Sequence, residues 1–184
     1  MSDSVPLTDA RALRAYAHPT RMTLMALLRR DGPQTATQAA AAIGESVASC
    51  SFHLRQMAKY GLVEVAGGGH GREKPWRATA MFTSWDPGAE GAEALELALA
   101  QQYIAMVMRW LRGRSAEPPE WREAAQLGDV TVHLTAAELR SLGEGMRDLV
   151  RPYLDRLEDA EARPAGSRPV TVMSMAFPSS LRDG

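Results

Sequence analysis

SVASCSFHLRQMAKYGLV, residues 46–63, is the stretch on which the reading of this chain turns. Cys50, Leu54 and Met57 recur at intervals of four and three, the apolar stripe of one 3.6-residue-period helix. Val47, Ser51 and Arg55 fall on the opposite side, with Ala48, Phe52 and Lys59 beside them. Small hydroxyls, one aromatic ring and cations therefore face outward. Ser46 suits an N-cap and Gly61 a C′ closure, after which Leu62-Val63-Glu64-Val65 changes to strand-like alternation. A helix with this outward face fits a DNA groove, so the segment is expected to be a recognition helix.

The flanks complete a motif. Gln34 to Ile43 offers a short Ala-rich helix, and Gly44-Glu45 a tight turn before Ser46, which is helix-turn-helix spacing. Beyond Val65 lie a glycine-rich tip, Gly67-Gly68-Gly69-His70-Gly71, and a second strand at about Pro75 to Thr79. Together they predict a β-hairpin wing carrying Arg72, Lys74 and Arg77, where glycines let cations approach phosphates or a minor groove. A basic hairpin directly after a helix-turn-helix is far more specific than either part alone.

His18-Pro19-Thr20-Arg21, then IGESVASCSFHLRQMAKYGLV, then GREKPWRAT resembles the winged-helix domain of ArsR-type bacterial repressors over roughly residues 10–80. Its most specific pieces are Ser51-Phe52-His53-Leu54 and Gly61-Leu62-Val63. The resemblance implies a dimeric, DNA-binding transcriptional regulator. It implies DNA contacts from Ser46, Val47, Ala48, Ser49, Ser51, Phe52 and Arg55, a phosphate contact near Thr37, and wing contacts near Arg72 and Lys74. Read from the residues alone, His53 is a structural histidine beside the apolar stripe and Cys50 a small core hydrophobe. Phe52 either touches a base or sugar or packs on the wing. Arg55 and Lys59 are either a solvated face or phosphate contacts, and the basic wing favours the second.

Net charge is −1, which taken alone argues against a nucleic-acid partner, but the charge is unevenly spread. Residues 1–85 hold 10 Lys/Arg against 6 Asp/Glu, and residues 86–184 hold 11 against 16. A basic first half with an acidic remainder is what a DNA module joined to a dimerisation or sensing module shows. One cysteine excludes an intramolecular disulfide framework, and no run of 18 apolar residues or export signal is present, so a cytoplasmic chain with no membrane partner is expected.

Along the chain, Leu7 to Ala17 reads as a helix with Thr8 as N-cap, and Pro19 opens a second that runs to about Arg30. Met22, Leu24, Met25, Leu27 and Leu28 are its core contribution, and Trp76 is expected to pack beneath the hairpin. Thr83 to Gly88 reads as a boundary, dividing a winged helix-turn-helix domain at 1–84 from a dimerisation and sensing region at 85–184. A long helix follows from about Ala89 to Arg112, carrying Leu95, Leu99, Tyr103, Met106 and Trp110 on one stripe. At about 1.5 Å per residue it spans roughly 36 Å, too long for so small a domain to cover. Burial against a second copy is expected, with an intramolecular core as the alternative.

The last third is expected to hold a short helix at Glu120 to Leu127, a strand at Val130 to Leu134, and a capping box at Thr135 to Glu138. That box starts a helix disturbed at Pro152, after which come a linker at Arg163 to Pro169 and a strand at Val170 to Phe177. The fold class is thus mainly α with small β: a winged helix-turn-helix, a long dimerisation helix and a small α+β carboxy-terminal region. That region is either more dimer interface or a sensing platform for a small apolar ligand lined by Tyr103, Met106, Met108, Trp110, Trp121, Met146, Met173 and Met175. No metal or other cofactor is expected, because a single cysteine and four scattered histidines lack ligand spacing. Enzyme motifs are absent too: there is no phosphate-binding glycine motif, nucleophile elbow or metalloprotease signature. Two functions remain, a homodimeric repressor released from a DNA operator by an effector, and a winged-helix module that docks a protein.

Overall fold

The computed structural model describes residues 2–67, 74–159 and 161–179. Strand β1 (Ser2–Leu7) leads into α1 (Ala10–Tyr16), α2 (Pro19–Asp31), α3 (Ala36–Ile43) and α4 (Val47–Ala58). Strands β2 (Val63–Val65), β3 (Trp76–Ala78) and β4 (Ala80–Trp85) follow, then the long α5 (Ala92–Gly113) and the shorter α6 (Pro119–Ala124), α7 (Ala136–Val150) and α8 (Asp155–Glu158). The chain divides into two compact units, Met1–Ala105 and Met106–Gly184, with the division falling inside α5.

The core of the first unit follows from the apolar periodicity of its helices. Leu13 and Tyr16 of α1, Leu24, Met25 and Leu28 of α2, Ala39 and Ala40 of α3, and Cys50, Leu54 and Met57 of α4 are all buried together. Leu62, Val63 and Ala78 close this core on the hairpin side, and Ala92 and Leu95 on the side of α5. Gly91 joins α5 to α1 at φ +91°, with a Cβ there meeting the Ala10 carbonyl at 3.6 Å and Leu13 at 3.7 Å, so both conformation and space favour glycine.

Each turn is closed by identifiable chemistry. His18 caps α2 by accepting from the Thr20 amide through Nδ1, with Pro19 in the first turn. Thr35 and Gln38 form a reciprocal capping box on α3 (3.2 and 2.8 Å), and Gly44, left-handed at φ +73°, ends it. Antiparallel β2 and β3 pair Glu64 with Arg77, and Gln34 adds one further rung by exchanging both backbone hydrogen bonds with Trp76 (2.9 and 2.7 Å). The hairpin is thereby tied to the start of the helix-turn-helix.

Several expectations are corrected. The first helix starts later: Asp9, not Thr8, is its N-cap, accepting from the amides of Arg11 and Ala12, both at 2.8 Å. Leu7 belongs to β1, which runs parallel to β4 from Ser2 opposite Ala80 to Leu7 opposite Trp85. Both strands went unread because their partners lie almost eighty residues apart and neither shows clean alternation. The boundary segment is accordingly strand through Trp85, and α5 begins at Ala92. The Arg29 guanidinium holds β4 against α2, donating to the Ala80 carbonyl (3.0 Å) and Thr83 Oγ1 (2.8 Å).

In the second unit the capping box at Thr135 and Glu138 forms as read, and the single 3₁₀ turn Arg151–Tyr153 interrupts the helix at Pro152 before α8. The expected strands at Val130 to Leu134 and Val170 to Phe177 are not formed: among the described residues, no backbone hydrogen bond ties either segment to a neighbouring chain segment. Alternating apolar residues give extended backbone, but a strand exists only with a partner.

Leu95, assigned from the sequence to a dimer stripe, is fully buried within the first unit and so is taken by that unit's own core. The large apolar residues that α5 leaves exposed are Leu97, Ile104, Met108 and Leu111. Leu95→Ala should therefore lower the stability of the first unit by about 2–5 kcal/mol, read as a shifted urea midpoint. A midpoint equal to the parent's would show that α5 is not packed there.

Candidate nucleic-acid interface

Helix α4 is fixed from behind. Cys50, Leu54 and Met57 are wholly inaccessible to solvent and point into the core, which leaves one direction for the rest of the helix. Ser46 accepts from the Ser49 amide at 3.1 Å and sets the first turn. At the far end the Gly61 amide donates to the Ala58 carbonyl and the Leu62 amide to the Met57 carbonyl, a Schellman closure with Gly61 at φ +68°.

The residues assigned to DNA contact fall as follows. Ser46, Val47, Ala48, Phe52, Arg55 and Lys59 are exposed, and Ser49 and Ser51 half-buried, on the side of α4 away from the core. Val47 and Phe52 are about half exposed, 46% and 50%, which is unusual for apolar side chains with core close by. Thr37 is exposed in the first turn of α3 and Lys74 at the start of the returning hairpin strand. Arg72 and the tip 68–73 lie outside the described residues. Arg77 is exposed but paired across the hairpin with Glu64 (2.7 and 2.8 Å), so its charge is partly answered within the wing.

Behind α4 lies a group of titratable side chains that the sequence reading recognised only in part. His53 is buried, as a structural histidine should be, and its ring stands 4.5 Å from that of His18; the Phe52 ring meets it edge-on at 5.2 Å. His53 Nδ1 and Arg21 Nε are buried without a hydrogen-bond partner. Burial first, then His18 and Arg21, push the His53 pKa below its ordinary value, with Glu45 opposing. His18 is lowered by burial and by Arg21, again against Glu45. Burial, and secondly Glu45, raises the Cys50 thiol, so it stays protonated and packs as an apolar group. The signal for the cluster was the pair His18-Pro19 and His53, but nothing local revealed that the two rings meet.

Among the described residues no three His, Cys, Asp or Glu side chains gather so as to hold a metal ion. In the second unit Met106, Arg109, Trp110, Gly113 and Glu117 line an open cleft of about 320 Å³. Glu117 is bound by Arg168 at 2.8 Å, whose guanidinium lies over the Trp121 ring at 4.9 Å. Of the residues assigned to a ligand pocket, Met106 and Trp110 meet there, whereas Met108 and Met175 are exposed.

Residues 16–66, from the end of α1 through β2, match a family model described as a helix-turn-helix domain. The first unit is a winged helix-turn-helix domain. Solved structures similar to the chain include the homodimeric winged helix-turn-helix DNA-binding domain (fragment 1-100) of Mb0332 from Mycobacterium bovis, called a possible ArsR-family transcriptional regulator. It is 24% identical over 52% of this chain and 76% of that one, with a TM-score of 0.34. A possible transcriptional regulator for arsenical resistance is 29% identical over 55% and 94% of the two chains (TM-score 0.34). A third structure, a transcriptional regulator, is 19% identical over 75% and 85% (TM-score 0.28). No curated protein matches. No helix among the described residues is long and apolar enough to cross a membrane.

The histidine pair gives the winged helix-turn-helix a pH dependence. A histidine whose pKa is lowered by folding binds fewer protons in the folded chain than in the unfolded one, so stability is full above the ordinary value of 6.5 and falls as pH drops below it. The urea midpoint should fall between pH 7.5 and 5.5, and His53→Gln should flatten that dependence. Equal pH dependence in parent and variant would remove His53 as a cause.

Proposed function

We propose that this chain is a cytoplasmic transcriptional repressor of the ArsR type, which grips a double-stranded operator as a homodimer and lets go when an effector alters the spacing of its two recognition helices. Residues 1–84 act as the DNA module and 85–184 as the dimerisation and sensing region. One observation carries the reading: the apolar back of α4 is sunk in the core, so that Ser46, Val47, Ala48, Phe52, Arg55 and Lys59 all project from one side, with Lys74 of the wing exposed nearby in sequence to the same motif. Serine hydroxyls and helix N-terminal amides suit phosphate, an arginine suits a guanine edge, and Val47 or Phe52 a thymine methyl or sugar. The uncovered stripe Leu97, Ile104, Met108 and Leu111 on α5 steps by seven, four and three and supports pairing with a second copy, which would double a reading head that alone spans few base pairs. The cleft at Met106 and Trp110 supports a small, partly apolar effector.

A protein-docking module is the second reading, favoured by the half-exposed Val47 and Phe52 and by the answered charge of Arg77. Salt separates the two. Phosphate contacts make duplex affinity fall steeply with ionic strength, by about 0.9 in the logarithmic slope per phosphate neutralised, and a protein-docking face shows no such duplex binding.

Duplexes selected from a random pool should bind the parent in fluorescence anisotropy with that salt dependence. Arg55→Ala should cost about 1–3 kcal/mol and relax sequence preference, whereas Lys74→Ala should weaken all duplexes alike. Parent-like binding by both variants would displace the interface from α4 and the wing. Ile104→Arg should give monomers in sedimentation and weaken operator binding; an unchanged dimer mass would place the subunit contact elsewhere.

A further inference from the structure

The second unit presents an anomaly that the DNA reading leaves unexplained: among the described residues no side chain after Leu95 is buried. A region of this size stays folded by enclosing apolar surface, and here many apolar residues are exposed to water and the others only half-buried. Many of the exposed ones lie in the two extended segments, 130–134 (VTVHL) and 170–177 (VTVMSMAF). Val130 is 81% exposed and Val132 54%; Val170, Val172, Met175 and Phe177 lie between those values. Among the described residues the backbone of both segments makes no backbone hydrogen bond.

We propose that these two segments are strands whose missing partners belong to a second copy of this chain, so that the carboxy-terminal region completes its core and its sheet only in the homodimer. The inference rests on the homodimer proposed above and adds where and how its second contact is made. Two features favour a second copy over another protein. First, the two segments repeat the same tripeptide, Val130-Thr131-Val132 and Val170-Thr171-Val172, and Val and Thr are favourable cross-strand neighbours of themselves. Second, their 13 residues contain no Asp, Glu, Lys or Arg. Free strand edges are normally guarded by charge, especially lysine, and a neutral edge can meet its own copy without repulsion while offering a charged partner nothing to pair with. Two-fold pairing uses the same surfaces on both copies.

Hydrogen exchange on the full-length protein, read with its sedimentation mass across a dilution series, tests this. The amides of 130–134 and 170–177 should exchange at least about 100-fold more slowly than unstructured chain when the protein is dimeric. That protection should fade on dilution in step with the dimer. Val132→Lys with Val172→Lys should abolish the protection and weaken the dimer while leaving exchange in α2 and α4 unchanged. A dimer whose two segments exchange as fast as unstructured chain would overturn the proposal and leave dimerisation through α5 standing. Protection that persists in monomers would place the strand pairing within one chain and overturn it as well. A protein that is monomeric at every concentration, with both segments unprotected, would end both this proposal and the homodimer.

Discussion

Burial of three side chains on one side of one helix determines how this protein faces its surroundings. With Cys50, Leu54 and Met57 locked against α2 and the hairpin, α4 has no rotational freedom, and the outward residues between Val47 and Lys59 are displayed as a rigid set. Losing any of the three would cost not only packing energy but the orientation of that face, because a close-packed core tolerates few alternative arrangements. The capping of α3 and α4, the left-handed Gly44 between them and the Gln34 to Trp76 rung under the wing all hold the same geometry from other directions.

Where a residue's fate depended on its near neighbours, the sequence was a good guide. The stripe on α4, Ser46 as its cap, Gly61 as its closure, Pro19 in the first turn of α2 and the capping box at Thr135 are all decided within one or two helical turns, and each has its counterpart in the structure. The winged helix-turn-helix itself was legible for that reason. What escaped depended on distant pairing: β1 against β4, Arg29 bridging α2 to β4, and the stacking of His18 on His53. The stripe on α5 was read as continuous. Its first member, Leu95, goes inward to the unit's own core, and a separate set beginning at Leu97 stays outside, because the neighbouring elements cover only the first turns of that helix.

The two halves of the chain obey different physics as a result. The first has a closed core and capped helices, and so presents one fixed surface. In the second, helices form locally, as the capping box of α7 shows, but among the described residues none of its apolar side chains is fully buried. Local propensity without burial is a weak determinant of structure, which is why alternation at 130–134 and 170–177 specified an extended backbone but not a strand. In the homodimer proposed above, whatever loosens the association would also loosen the spacing of the two recognition helices.

Hydroxyl-radical footprinting of the full-length protein on a duplex selected for binding addresses the central claim most directly. One recognition helix from each of two copies should protect two patches on one side of the duplex, about 10 base pairs apart centre to centre, at low ionic strength. A uniform cleavage ladder under those conditions, on every duplex tried, would contradict the account.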